Sequence, residues 1–160
     1  MGQSRIVVSA AMTVGGVKMN EDTEDDGAVS RTATCGCGAL KVTVTGAPLQ
    51  VHACSCQQCQ RNSGSAFTYS AFFPESAVVS IDGEHRSWRR NGSSGDWVES
   101  SFCPTCGTSV FGRLGVWPGI VRISVGCFTD PAFEKPAKLF WSSWRHHWLS
   151  LPDVEAIGTQ

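Results

Sequence analysis

Three short segments, Cys35-Gly-Cys37, Cys54-Ser-Cys56-Gln-Gln-Cys59 and Cys103-Pro-Thr-Cys106, hold seven of the chain's eight cysteines. An odd cluster of thiols restricts the fold more than any other feature. Side chains at i and i+2 of a strand share a face, so Cys-Gly-Cys sets two sulfurs on one side, with no bulk at Gly36 between them. Cys-x-x-Cys does the same around a tight turn, which Pro104 shapes and Gly107 releases. Zinc takes thiolates at about 2.3 Å in a tetrahedron. A closed structural site uses four protein ligands and an open one three. The seven thiols divide that way. The compact triplet Cys54, Cys56 and Cys59 can hold one ion alone, and the pairs Cys35/Cys37 and Cys103/Cys106 complete a tetrahedron together. Joining the triplet to either pair leaves the other pair short of ligands or strands a thiol.

Two other readings stay open. Eight cysteines are an even number, and a small secreted domain would use them as disulfide staples. Vicinal pairs suit a shared ion better than mutual bridges. In a purely structural two-zinc module, His52 would complete the triplet's tetrahedron, because it lies two residues before Cys54 and an extended chain would aim both the same way. Cys127, after Gly126 in an apolar run, has no local partner and reads as a buried core thiol.

At 160 residues the chain suits one domain with an ordinary core. With 41% hydrophobic and 17% charged residues it is of soluble globular composition. A net charge of −1 lacks the cationic surplus that phosphate contacts need, which argues against nucleic acid as a partner. Five of the fourteen acids crowd into Glu21–Asp26, and beyond residue 30 the balance is 11 basic to 9 acidic, about +2, which suits a small anionic ligand or a solvated surface. Residues 6–17 are apolar, but too short and interrupted to span a bilayer. No clear small-x-small cleavage site follows Arg5. Residues 1–30 are therefore expected to be a disordered leader, ahead of a single zinc domain over 31–156, in a cytoplasmic protein with no membrane partner.

Beyond residue 31 the chain reads as short strands: 39–46, 66–73, 77–84, 96–102, 109–114 and 119–128, most of them alternating or β-branched and bounded by Gly or Pro. One short helix is expected near 131–135, where Asp130 would cap and Pro131 would start it. The expected class is mostly β and antiparallel.

Three thiolates on Zn²⁺ leave a net charge of −1, so an open Cys₃ site is a poor generator of hydroxide. It suits sulfur chemistry better, because a substrate thiol can take the fourth position. Arg61, Asn62 and Ser63 follow the triplet directly and are the candidates for holding that thiol.

The segments "CGCGALKVTV" (35–44), "HACSCQQCQRNSGSAF" (52–67), "SFCPTCGTSVF" (101–111), "IVRISVGCFTDP" and a tail with Trp141 and Trp148-Leu149 resemble the glutathione-dependent formaldehyde-activating enzyme family, also called the centromere protein V family. The resemblance spans about residues 33–153. It implies an Mss4-like fold of twisted antiparallel sheets with zinc-binding cysteine clusters and few short helices. It implies two zinc ions per chain: a structural one on Cys35, Cys37, Cys103 and Cys106, and a labile, catalytic one on Cys54, Cys56 and Cys59. The implied reaction joins formaldehyde, or another small electrophile, to glutathione or a similar thiol; in reverse it is a carbon–sulfur lyase. Gln60 departs from the family's usual basic residue after the triplet, and "WSSWRHHW" departs from its usual tail, which weakens substrate specificity most. The centromere-associated members imply an alternative, a non-catalytic zinc scaffold, and a labile triplet also fits a thiol or metal sensor. Candidate acids and bases are His52, His146, His147 and Glu99. Phe140, Trp141, Trp144 and Trp148 would wall a pocket, fill core or form a homodimer face.

Overall fold

The computed structural model of the chain describes residues 13–14, 17–18, 29–92 and 95–159. Most of the expected leader lies outside the described residues. Within it, β1 (Thr13–Val14) pairs antiparallel with β2 (Val17–Lys18). The rest forms two sheets. A three-stranded antiparallel sheet has the order β3 (Ser30–Thr34), β4 (Lys41–Thr45), β7 (Val78–Asp82). An eight-stranded sheet contains β5 (Gln50–Cys54), β6 (Thr68–Pro74), β8 (Arg86–Asn91), β9 (Trp97–Phe102), β10 (Ser109–Leu114), β11 (Ile120–Ser124), β12 (Lys138–Phe140) and β13 (Glu155–Ile157). Its order is β13-β12-β5-β6-β11-β10-β9-β8. The class is mostly β, as expected. One detail differs: β12 pairs parallel with both β5 and β13, so one margin of the large sheet is not antiparallel.

The six strands read as 39–46, 66–73, 77–84, 96–102, 109–114 and the first half of 119–128 are present. Val125–Phe128 turns instead into a 3-10 segment that ends at Thr129 in the left-handed region (φ 53°). The helix expected at 131–135 is absent. Asp130 does bond the Ala132 N–H (2.9 Å), and its carbonyl accepts from Phe133, but this makes a single turn. Pro136 follows too soon, because the residue before a proline is driven out of the helical region. The α-helix of the described residues is α1 (Gln57–Ser63), inside the cysteine triplet, where no helical period was visible. None of its residues is buried, so it carries no apolar stripe to read.

Alternation decides what each face of the large sheet meets. Val51, Ala71, Phe73, Val121 and Ile123 point toward the small sheet and pack with Ala33, Val42 and Val44 in the core. Each buried valine, isoleucine or phenylalanine among them stabilises the fold by about 1.5–3 kcal/mol before entropy is charged against it. His52, Cys54, Thr68, Ser70, Phe72 and Arg122, at alternate positions on the same strands, face away from this core and line a cavity. Among the described residues no helix is long and apolar enough to cross a membrane.

Candidate metal centre and cavity

Two hairpin-like turns build the closed thiolate cluster. After β3 the Cys35 N–H donates to the Leu40 carbonyl (2.9 Å), and the Leu40 N–H points back at Cys35 Sγ (3.2 Å). Between β9 and β10 the Cys103 N–H donates to the Thr108 carbonyl (3.0 Å), and Gly107 N–H to the Cys103 carbonyl (2.9 Å). These turns bring the sulfurs of Cys35, Cys37, Cys103 and Cys106 within 4.8 Å of one another. Cys35–Cys37 and Cys37–Cys103 are 3.6 and 3.7 Å apart. A tetrahedron with metal–sulfur bonds of about 2.3 Å has edges of about 3.8 Å. The cluster therefore fits a tetrahedral thiolate-bound metal, while a disulfide would need about 2.05 Å; all eight thiols are unbridged.

Thr108 ties the two turns together. Its hydroxyl accepts from the Gly36 N–H (3.2 Å) and lies 3.2 Å from Cys106 Sγ. That hydroxyl is the first cause that holds the Cys106 thiol down to about 5, with backbone donors adding to it. Cys37 is pushed up to about 11: the Ala39 backbone lowers it, but the neighbouring Cys35 and Cys106 sulfurs outweigh that.

The second cluster is open. Cys54 ends β5, Cys56 caps α1 and accepts the Cys59 N–H at 3.4 Å, and Cys59 sits in the helix's first turn. Their sulfurs also lie within 4.8 Å of one another. Cys56 is held down to about 2 by its contacts with Cys54 and then Cys59. Cys54 is pushed up, by Cys56 first. Among the described residues, no fourth Cys, His, Asp or Glu joins the group. His52 faces the same way as Cys54 but lies outside the sulfur cluster. It packs between Phe72 (4.3 Å) and Phe140 (4.8 Å), where burial, then Arg122 and Lys138, hold it down at about 3. Its imidazole is neutral at ordinary pH.

Both clusters could hold metal ions, but they differ in what they face. The triplet opens onto a cavity of about 350 Å³. That is within the ~300–1,000 Å³ of small-molecule sites. Phe72, Trp97, Trp117, Phe140, Trp141 and Trp144 supply aromatic walls, and Arg90 and Arg122 supply cations. Three of the four tail aromatics thus wall the cavity, while Trp148 is 64% exposed and stacks on His146 (5.7 Å).

Arg61, Asn62 and Ser63 are exposed and do not line this cavity. Ser63 instead donates to backbone carbonyls, among them that of Cys59 (2.9 Å), and so finishes the helix. Of the four candidate acids and bases, His52 lines the cavity. Glu99 is paired with Arg89 (3.1 Å), and His146 and His147 are exposed elsewhere. Reasoning from local sequence missed Arg90 and Arg122. Their cue was weak: Arg122 is the charge in the middle of the apolar run "GIVRISV". Gln60 proves structural. Its amide donates to the carbonyls of Ser55 (2.7 Å) and Trp144 (3.1 Å), which clamps the triplet's loop to the tail.

A sequence profile of the glutathione-dependent formaldehyde-activating enzymes matches residues 30–143. The chain belongs to that family. No curated protein sequence matches it significantly. Among solved structures, it is similar to a Rhodobacter sphaeroides protein determined as a structural-genomics target, with a TM-score of 0.51 and 22% identity over 66% of this chain and 97% of that one. That likeness concerns the fold. For this member of the formaldehyde-activating family, the cysteine geometry and not the neighbour carries the chemistry.

Proposed function

We propose that Cys54, Cys56 and Cys59, on the wall of the cavity, would hold a zinc ion, and that Cys35, Cys37, Cys103 and Cys106 would hold a structural one. At the open site the protein makes and breaks a carbon–sulfur bond between a small thiol, glutathione or an analogue, and an electrophilic carbon such as formaldehyde, as a carbon–sulfur lyase. The observation that carries this reading is the placement of three clustered sulfurs, without a fourth ligand among the described residues, on the wall of a small-molecule-sized cavity.

When bound, zinc would supply the polarisation that ionises a substrate thiol at neutral pH. The chain's residues do the rest. The aromatic walls give the site largely apolar surroundings, in which polar contacts are stronger than in water. Arg90 and Arg122 put positive charge beside a ligand that carries negative charge. In the bond-forming direction the sulfur lone pair attacks the carbonyl carbon, the C=O π pair moves to oxygen, and that oxygen takes up a proton equivalent to the one the thiol gave up. Neutral His52, on the cavity wall, is placed to relay it. Unbridged thiols at all these positions fit a reducing compartment such as the cytoplasm.

Metal analysis of the full chain with and without glutathione tests this reading. Two ions per chain are expected, with one responding to the thiol. Cys56→Ser should lose that ion and abolish turnover of the hydroxymethyl-thiol adduct while the fold survives, since Ser is itself a good helix cap. Two ions indifferent to thiol would leave a structural scaffold and end the catalytic reading.

A further inference from the structure

Arg122 is the one charged residue among the buried side chains of the described residues, at 7% exposure. It stands in the middle of β11 and lines the cavity. No described carboxylate forms an ion pair with it. Its Nη2 donates to Ser100 Oγ (3.1 Å), and its buried Nε has no partner. A guanidinium does not shed its charge at ordinary pH, so the fold tolerates a buried cation that no described carboxylate pairs with.

The sheet is built to hold it. Gly112 is the register partner of Arg122 on β10, and Ser100 is the partner of Gly112 on β9. The guanidinium therefore lies across a strand where the side chain is missing. A Cβ at Gly112 would stand 3.0 Å from Nη2. Burial opposes the charged form of Arg122 most, the Cys59 sulfur favours it, Arg90 opposes it, and the Cys54 sulfur favours it. Arg90, also on the cavity wall, is less buried and bonds the carbonyl of its neighbour Asn91 (3.3 Å).

We propose that Arg122 is an oxyanion-binding residue of this cavity. Its guanidinium donates to the oxygen of the S–C–O group while the carbon–sulfur bond forms or breaks, so the substrate is an aldehyde or its hemithioacetal rather than an alkyl thioether. The inference rests on the reading of the triplet as a thiol site. As sulfur adds to the carbonyl carbon, the π pair becomes a full negative charge on oxygen before a proton neutralises it. Preorganised donors aimed at such a charge act most strongly where water is excluded. A thiol's carboxylate would lie several bonds from its sulfur, which suits Arg90 better than Arg122, whose charge the triplet's sulfurs act on.

The test uses the full, metal-loaded chain and two thiols, glutathione and 2-mercaptoethanol, the second without a carboxylate. Formaldehyde adduct formation is followed above the uncatalysed background. Arg122→Met should lower kcat about 100-fold with both thiols. Its metal content should be unchanged and its Tm about equal. Arg122→Lys should recover part of kcat. A rise in KM with glutathione alone would make Arg122 a carboxylate subsite and overturn the proposal. So would wild-type kinetics, or a drop in Tm and metal content that Lys restores, the mark of a structural role. Should Arg122→Met fail to fold, Arg122→Lys decides: kcat about 10-fold down with both thiols and metal retained supports the oxyanion role, and unaltered kcat refutes it. A wild-type protein that neither binds nor turns over either thiol refutes the thiol-site reading, and this inference with it. Active wild type with indifferent variants refutes this inference alone.

Discussion

Thr108 shows how much one side chain can hold. Its hydroxyl accepts from Gly36 on one turn and approaches Cys106 on the other, so both halves of the closed cluster answer to it. Outer groups of this kind orient ligands and tune their charge, at a typical cost of 10–100-fold in metal affinity when removed. Thr108→Val should weaken the closed site by that factor, read by competition against a chromophoric chelator, and leave the triplet's affinity unchanged. Cys103→Ser strikes harder. Cys103 is fully buried, and its loss leaves an incomplete polar cluster in the core. About 3 kcal/mol or more of stability should go, on the scale of breaking a buried charged pair, as measured by urea denaturation.

Among the elements, α1 owes its position to contacts at its ends. It buries no side chain, so the Cys56 cap, the Gly64 stop (φ 61°) and the Gln60 clamp fix it. Each hydrogen bond of this kind is worth about 1 kcal/mol. Gln60→Ala should cost about 1–2 kcal/mol and loosen the triplet, which faster metal loss to a chelator would reveal. The loop after β11 is tied down differently. Tyr69 on β6 donates its hydroxyl to the Glu134 carbonyl, and burial, then Glu134 and Asp130, push its pKa up. The sign is fixed: a phenol whose folded pKa exceeds its unfolded value of about 10 lends stability below that pH and loses it as pH rises through the folded value. Alkaline unfolding should therefore steepen above about pH 10, and Tyr69→Phe should remove that limb while lowering stability at neutral pH.

For the molecule as a whole, two cysteine clusters that could hold metal ions, one closed by four sulfurs and one opening on the cavity, predict two stages of metal loss. The closed cluster joins the turn after β3, in the small sheet, to the β9–β10 turn of the large one, so it staples the two sheets. The triplet lies at the end of β5 and opens on the cavity. A chelator should first remove the triplet's ion with little change in far-UV circular dichroism. Removal of the second ion should coincide with loss of cooperative unfolding, since metal binding at such a site is folding free energy. A single step with simultaneous unfolding would contradict this division.

The cysteine spacings by themselves determined the split into four and three, because ligand number and tetrahedral geometry restrict what seven thiols can do. Alternating β-branched runs determined the mostly-β class and six of the strands, because period two is a local property. Other features depended on pairing across the chain. The parallel partner of β12, β5, lies far away in sequence; β8, although hairpin-paired with the β9 that follows it, is too polar to show an apolar alternation, and β5 hid its alternation inside a cysteine motif. The cations of the cavity were the largest omission. Proximity in sequence singled out Arg61, whereas the sheet brought Arg122, more than sixty positions from the triplet, to the same wall. A buried charge is specified by the register of four neighbouring strands and by the absence of a Cβ at Gly112, and no local pattern records either.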